Sequence, residues 1–146
     1  MNHHSLRDFG RARSSLAVDV PDRLIHYDVD RRTSERNVDA DRRPTVSVVD
    51  LPAKTLSMTV GGLEPGQTTS KHRHTYETIL YVVEGEGFSV IEGRRVEWKA
   101  GDAVYVPAWA WHQHTNVSTE DRCRYIACEN APLMQSLNAA LREEAP

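Results

Sequence analysis

The feature that most constrains the fold is a series of short apolar or alternating segments that begins at Thr45. Each segment is about five to eight residues long, and Gly, Pro or Asp turn signals separate it from the next, which is typical of sandwiches and barrels. The predicted strands lie in TVSVVD, TLSMTVGGL, TTSKHRH, TILYVVEG, GFSVIEG, RRVEWK, AVYVP, HQHTN and RCRYIAC. Strands therefore dominate, and the pattern predicts an all-β protein, a closed barrel or jelly roll.

Residues 1–43 have a different composition, with charges of both signs, as in DVDRRTSERNVDADRRP, and only short apolar interruptions. Such a segment has little core of its own, so we expect a polar N-terminal arm followed by a single domain over residues 44–146. The arm either wraps the surface or crosses to a partner subunit. If it covers an edge strand, it would contribute to the homodimer that we expect.

A helical pattern occurs only near the end of the chain, in NAPLMQSLNAAL. Asn130 is the predicted N-cap and Pro132 lies in the first turn. Leu133, Leu137 and Leu141 form one apolar stripe. We therefore expect a short C-terminal helix that packs against the outside of the sheets.

The composition restricts which classes of partner the chain can bind and where in the cell it is expected. The chain has 18 basic and 21 acidic groups and a net charge of −3, which leaves no basic excess for binding nucleic acid. No apolar run approaches the roughly 20 residues that span a bilayer, and the N-terminus lacks the apolar region of a secretory leader. Cys123 and Cys128 are five residues apart, so on one strand they face opposite ways and do not bridge each other. We expect a cytoplasmic protein that binds a small molecule and no membrane.

Four histidines mark a candidate metal site. His72 and His74 lie two residues apart in a predicted strand, so both imidazoles emerge on one face. His112 and His114 repeat this spacing in a later strand and supply a third imidazole. Neutral histidine is the commonest protein ligand for first-row transition metals, and three imidazoles leave coordination positions open for water, substrate or oxygen.

The segments around these histidines resemble the two motifs of the cupin family. Residues 66–85, GQTTSKHRHTYETILYVVEG, are similar to the first motif, G(X)5HXH(X)3,4E(X)6G. Residues 101–116, GDAVYVPAWAWHQHTN, are similar to the second, G(X)5PXG(X)2H(X)3N, with Trp109 where glycine is usual. The resemblance implies a cupin-type double-stranded β-helix with a metal ion held inside the barrel by His72, His74 and His112.

The first motif departs from the family at its carboxylate. The usual spacing puts glutamate at position 78 or 79, which here are Thr78 and Ile79, whereas Glu77 lies one residue early. In a continuous strand position 78 shares the face of the two histidines and position 77 points away. We therefore favour a three-histidine site with Glu77 outside the coordination sphere. The phrases HRHT, VVEG and PAWAWHQH are similar to the metal motifs of gentisate 1,2-dioxygenases, which are three-histidine cupins that lack this glutamate and generally carry two cupin domains.

These features lead to one functional prediction and two alternatives. An ion held by three neutral imidazoles keeps its full charge, so the site should favour a small anionic or chelating substrate. The prediction is a mononuclear metal-dependent cupin enzyme, a dioxygenase-like oxidoreductase with Fe²⁺. The first alternative is a non-oxidative Zn²⁺ or Mn²⁺ enzyme, such as an isomerase, a lyase or an enzyme that forms N–N bonds. The second is a cupin that binds a small ligand without turnover.

Further residues are assigned around the predicted ion. His114 shares the strand face of His112, so it is the candidate catalytic residue, a base or a hydrogen-bond partner of the substrate. The alternative role of His114 is a satisfied histidine at the barrel mouth. Glu77, Thr78 and Trp109 are the candidates for the substrate pocket.

Overall fold

The computed structural model describes Gly10, residues 17–30 and residues 44–146. In chain order, this part of the protein contains the following strands and one helix: β1 (Thr45–Val48), β2 (Ser57–Leu63), β3 (His72–His74), β4 (Thr78–Glu84), β5 (Glu86–Ile91), β6 (Arg94–Lys99), β7 (Ala103–Val106), β8 (His112–Asn116), β9 (Cys123–Glu129), α1 (Ala131–Ser136) and β10 (Arg142–Glu144). All nine predicted strands are present, which confirms the all-β prediction. The sequence pattern does not predict β10.

The strands form two antiparallel five-stranded sheets, in the orders β1-β2-β9-β4-β7 and β10-β3-β8-β5-β6. Strand β4 illustrates how each strand contributes one inward face: Thr78, Leu80 and Val82 are buried, and the residues between them are exposed. The central apolar cluster contains Leu63, Leu80, Val82, Trp98, Val104, Cys123 and Ala127. Two antiparallel sheets around one core form a jelly roll, as the sequence predicts.

The turn between β4 and β5 requires a glycine. Gly85 has a φ of 89°, in the left-handed region, and a Cβ at this position would lie 2.6 Å from the Cβ of Cys123. Because Cys123 is fully buried in β9, it has no room to move away. Cys128, near the other end of β9, is exposed, and both cysteines are free, in agreement with their odd spacing.

The C-terminal segment corrects the prediction of a helix that extends to Leu141. Helix α1 ends at Ser136, and Asn138 has a φ of 53°, a left-handed conformation that commonly ends helices. Asn130 makes no side-chain cap hydrogen bond to the helix. Beyond the helix, the backbone N of Thr75 donates to the Leu141 carbonyl at 3.0 Å, and the Thr75 Oγ1 accepts from the Leu141 N at 2.8 Å. These long-range bonds turn the chain back and place β10 beside β3.

Only part of the predicted N-terminal arm can be compared with the structure, because residues 1–9, 11–16 and 31–43 lie outside the described residues. Residues 17–30 are mostly exposed and form neither helix nor strand. The Arg23 guanidinium donates two hydrogen bonds to the Asp50 carboxylate, at 2.7 and 2.8 Å. Arg124 of β9 pairs with Asp30 at 2.5 Å. Charged side chains therefore attach this stretch to the residues that follow it in the chain.

The outer surface of the first sheet carries exposed apolar side chains. It exposes the large side chains of Met58, Ile79, Tyr81, Val83 and Tyr105. Ile79 lies in register between Cys128 of β9 and Tyr105 of β7, so these side chains are neighbours on one surface. We call this set of five residues the outer apolar face. Among the described residues, no helix is long and apolar enough to cross a membrane.

Candidate metal centre

Two paired strands bring three histidines together inside the second sheet. His72 and His74 lie at the two ends of β3, and His72 is the direct cross-strand partner of His112 on β8. The ring centroids of His72 and His112 are 4.3 Å apart, and those of His74 and His112 are 4.8 Å apart. One ring nitrogen from each of the three residues lies within 4.8 Å of the other two. Within the part of the chain that is described, this is the only such group of metal-binding side chains.

Hydrogen bonds to backbone carbonyls fix the tautomer of each of these histidines. The Nδ1 of each imidazole lies 2.8 to 2.9 Å from a carbonyl oxygen, which can only accept a hydrogen bond. The pairs are His72 with Ser70, His74 with Tyr76, and His112 with Ala110. Because Nδ1 must carry the proton in all three, Nε2 keeps its lone pair. The three Nε2 atoms are therefore ready to bind one ion, oriented by groups that do not touch it.

Burial keeps these imidazoles neutral. Desolvation lowers the pKa of His72 and His74 from the ordinary value, and lowers that of His112 to about 3. The positive charge of Arg142, whose backbone is the cross-strand partner of His74, lowers the pKa of the first two further. Since a protonated imidazole cannot bind a metal ion, these lowered pKa values favour the neutral form that binds one.

The fourth histidine, His114, has the opposite tautomer from the three candidate ligands. The His114 Nδ1 lies 2.7 Å from the Ser89 Oγ, and the Trp98 Nε1–H donates to the same oxygen at 2.9 Å. Ser89 is fully buried, and its Oγ already accepts from Trp98, so the Ser89 hydroxyl proton is satisfied when it is donated to the His114 Nδ1. The proton of His114 is then on Nε2. His114 consequently offers a hydrogen-bond donor to the cavity, whereas the other three histidines offer lone pairs.

The histidines line a cavity of about 810 Å³. Thr78 and Leu80 of β4 contribute to its wall, as does the Tyr76 ring, which stacks on the His74 ring with centroids 3.8 Å apart. Two charged residues that the sequence reasoning misses also line it: Glu129 from the end of β9 and Arg142 from β10. Arg142 was hidden because β10 has no strand-like pattern. Glu129 could have been found by extending the alternation of β9 by one residue.

The structure places the three predicted pocket residues in different positions. Thr78 is buried and lines the cavity. Glu77 does not line it, because its carboxylate faces the outer surface and accepts a hydrogen bond from the Tyr105 hydroxyl at 2.5 Å. Trp109 is also absent from the lining, and its side chain lies over the Arg73 guanidinium, 4.3 Å from the ring centroid. Of the three, Thr78 is the one that lines this cavity, and the assignment of Glu77 and Trp109 to the substrate pocket stays a prediction.

Trp109 also explains why its motif position normally holds glycine. Its φ is 64°, in the left-handed region that side chains with a Cβ rarely adopt. The Trp109 backbone N donates to the His74 carbonyl at 2.7 Å, so the turn joins the end of β3 to the residues before β8. The strained backbone at Trp109 thus helps to hold His112 and His74 at their mutual distance.

The geometry can be compared with known proteins at this point. Residues 59–128 match the family model described as a cupin domain. This part of the chain is a cupin domain. The chain is similar to a 5-aminosalicylate 1,2-dioxygenase from Comamonas sp., with 37% identity over 91 residues, which are 62% of this chain and 24% of that protein. It is also similar to a gentisate 1,2-dioxygenase from Streptomyces sp., with 31% identity over 116 residues, 79% of this chain and 32% of that protein.

A solved structure extends the comparison. The salicylate 1,2-dioxygenase from Pseudaminobacter salicylatoxidans matches the cupin fold with a TM-score of 0.70 and 25% identity, over 78% of this chain and 35% of that chain. The chain therefore spans about a quarter to a third of the length of these relatives. The relationship of this cupin to the gentisate dioxygenase group agrees with the resemblance that its histidine motifs show.

Proposed function

We propose that this cupin is the Fe²⁺-binding part of a dioxygenase that acts on small hydroxylated aromatic carboxylates. One observation carries the proposal: three imidazole nitrogens converge, and Thr78 occupies the place where the cupin motif has a carboxylate. It is supported by relatives whose names give them 1,2-dioxygenase activity on gentisate, 5-aminosalicylate and salicylate.

The charge of the site favours such substrates. An ion bound by His72, His74 and His112 would supply open coordination positions for a chelating anion and for dioxygen. Neutral imidazoles cancel none of the charge of a divalent ion, so this site attracts an anion more strongly than a site with a carboxylate ligand does. A carboxylate next to a ring hydroxyl offers two oxygen ligands and negative charge.

The other cavity residues bind and orient the substrate. His114 is proposed as a catalytic residue because its Nε2–H can donate to an oxygen of the bound anion. Burial lowers the pKa of His114 to about 4, so it makes this bond as a neutral donor at pH 7 and adds no second positive charge. Leu80 and Tyr76 give the cavity apolar surface for an aromatic ring.

Oxygen uptake tests the proposal. The protein is loaded anaerobically with Fe²⁺, its metal content is measured, and oxygen consumption is followed with gentisate, salicylate and 5-aminosalicylate. We expect one ion per chain and uptake with at least one of these compounds. His112→Ala should lose the metal and the uptake, whereas Arg94→Ala, at the exposed first residue of β6, should keep both. A protein that binds Fe²⁺ in full and consumes no oxygen with any of the three would refute the dioxygenase.

The same experiment separates the alternatives. A protein purified natively with one Zn²⁺ or Mn²⁺ per chain, and without oxygen uptake after exchange to Fe²⁺, would support the non-oxidative enzyme. Ligand binding that survives His72→Ala, His74→Ala and His112→Ala would support a cupin that only binds a small molecule.

We further propose that residues 44–146 fold as one domain and that the protein is a cytoplasmic homodimer. The outer apolar face supports the dimer, because a second copy would remove these five large side chains from water. Light scattering should give twice the chain mass of 16.5 kDa, and Tyr81→Glu should reduce it to one chain. A wild-type mass of 16.5 kDa would refute the dimer. Location is tested by fractionating cells that express the tagged protein.

A further inference from the structure

Glu129 brings a carboxylate to the cavity from an unexpected strand. It is the last residue of β9 and the direct cross-strand partner of Thr78 on β4. The Thr78 Oγ1–H donates to the Glu129 Oε1 at 3.1 Å, and both residues line the cavity. Glu129 does not belong to the group of side chains that surrounds the ion position. Its carboxylate therefore faces the volume that a ligand of the ion would fill.

The Glu129 carboxylate has few partners. Among the described residues, the one side chain that donates a hydrogen bond to it is Thr78. Arg142 lies close enough to lower its pKa electrostatically but pairs with Glu144, at 2.8 Å. The other titratable neighbours are Tyr76 and Tyr125, whose hydroxyl pKa values the carboxylate raises. A partly buried carboxylate with a single donor has acceptor capacity to spare.

Because the Glu129 carboxylate is partly buried, its free acceptor positions affect which ligands can bind. Desolvation raises the pKa of Glu129 more than the Thr78 hydrogen bond and the charge of Arg142 lower it. A ligand that fills the cavity would remove the remaining water from the carboxylate. Unless the ligand itself offers a donor at that point, the acceptor is left unpaired, which opposes binding.

We propose that Glu129 determines specificity: it accepts a hydrogen bond from a hydroxyl or amino substituent of the aromatic acid bound at the three histidines. The inference rests on the proposed function for the placement of an aromatic acid in the cavity. The site then prefers a ring with a donor opposite Glu129 over the same ring with hydrogen or a substituent that only accepts. Gentisate and 5-aminosalicylate carry a donor at the ring carbon where salicylate carries hydrogen, which makes the three compounds a matched set of probes.

Binding to the zinc-loaded protein tests this preference without turnover. Titration calorimetry measures the affinities of salicylate, gentisate, 5-aminosalicylate and 5-methoxysalicylate, the last of which only accepts at that carbon. We expect the wild type to bind gentisate and 5-aminosalicylate about 10- to 100-fold more tightly than salicylate, the value of a hydrogen bond to a charged group. In Glu129→Leu this preference should fall to less than threefold, and salicylate should bind more tightly than to the wild type, because no unpaired carboxylate is buried against it.

Glu129→Gln should increase the affinity for one ligand, which would not happen if Glu129 had only a structural role. Its amide can donate, so 5-methoxysalicylate should bind at least tenfold more tightly than it does to the wild type. Glu86→Gln, at the exposed first residue of β5, is the control and should change none of the affinities. Each variant is first shown to hold one Zn²⁺ and to unfold cooperatively. If Glu129→Leu does not fold, the proposal is tested with Glu129→Gln alone.

The outcomes separate this inference from the proposed function. Equal binding of the four compounds by the wild type, or a wild-type preference that persists in Glu129→Leu, overturns the role of Glu129. A lack of any binding to the zinc-loaded protein overturns it as well. Oxygen uptake by the Fe²⁺-loaded protein decides the dioxygenase separately, because calorimetry of the zinc form reports selectivity whether or not the iron form reacts with oxygen.

Discussion

Ser89→Ala removes a single oxygen atom, yet we expect it to lower the stability of the cupin domain strongly. The fully buried Ser89 Oγ lies 2.7 Å from the His114 Nδ1 and 2.9 Å from the Trp98 Nε1. Ser89→Ala leaves both of these buried nitrogens without a partner. An unsatisfied buried polar group costs about 1–3 kcal/mol, so the two together should lower the free energy of unfolding by about 2–6 kcal/mol. For a domain of this size, 3 kcal/mol corresponds to a fall of roughly 10 °C in the melting temperature.

Urea unfolding of the metal-free protein, followed by far-ultraviolet circular dichroism, measures this loss. The control is Ser136→Ala, because the exposed Ser136 Oγ also donates a short hydrogen bond, to the Leu133 carbonyl at 2.7 Å. The control should change the free energy of unfolding by less than about 0.5 kcal/mol. A loss for Ser89→Ala as small as that of the control would contradict the proposed hydrogen-bond chain. So would strict additivity of Ser89→Ala with Trp98→Phe, because residues that share a hydrogen bond should be coupled.

Three further predictions concern a glycine in β5, the turn at Trp109 and the His112 imidazole. Gly87→Ala should lower the free energy of unfolding, measured in urea, by more than about 3 kcal/mol. The reason is that the alanine Cβ would overlap the backbone oxygen of Thr115, which cannot move aside. A loss below about 1 kcal/mol would contradict this. Trp109→Gly relieves the left-handed strain but loses the contact with Arg73, whereas Trp109→Ala loses the contact and keeps the strain. The glycine variant should therefore be about 1–2 kcal/mol more stable than the alanine variant, and equal stability would exclude strain at this turn. The pKa of His112 is lowered to about 3 in the folded protein, so the unfolded chain binds more protons below about pH 6.5. Stability of the metal-free protein should be complete above that pH and fall towards pH 3, by about 1.4 kcal/mol per unit from this group, and His112→Gln should show a shallower slope.

Local patterns were sufficient to predict most of the fold. The alternation of buried and exposed residues in β4 follows directly from its sequence, and the nine strands lie where that alternation and the turn residues predict them. The equal spacing of His72 with His74 and of His112 with His114 predicted that each pair shares a face. Face assignment needs only the two-residue period of a strand, which is a local property.

The C-terminal segment could not be predicted in this way. Its leucine spacing is helical, yet the chain leaves the helix after Ser136 and β10 pairs with β3. The competing hydrogen bonds join Thr75 to Leu141, which are distant in sequence. This pairing places Arg142 beside His74, and no window of sequence around Arg142 indicates a position at the cavity.

By itself, the sequence determined the strand alternation, the two histidine pairs and the loss of the usual carboxylate at Thr78. The tertiary structure decided which groups surround the ligand volume. It turned Glu77 outward to Tyr105, brought Glu129 to Thr78 across the sheet, and gave His114 its proton on Nε2 through Ser89. The physical reason is that a side-chain face is set by neighbours along one strand, whereas hydrogen-bond partners and tautomers are set by strands that meet only after the two sheets close.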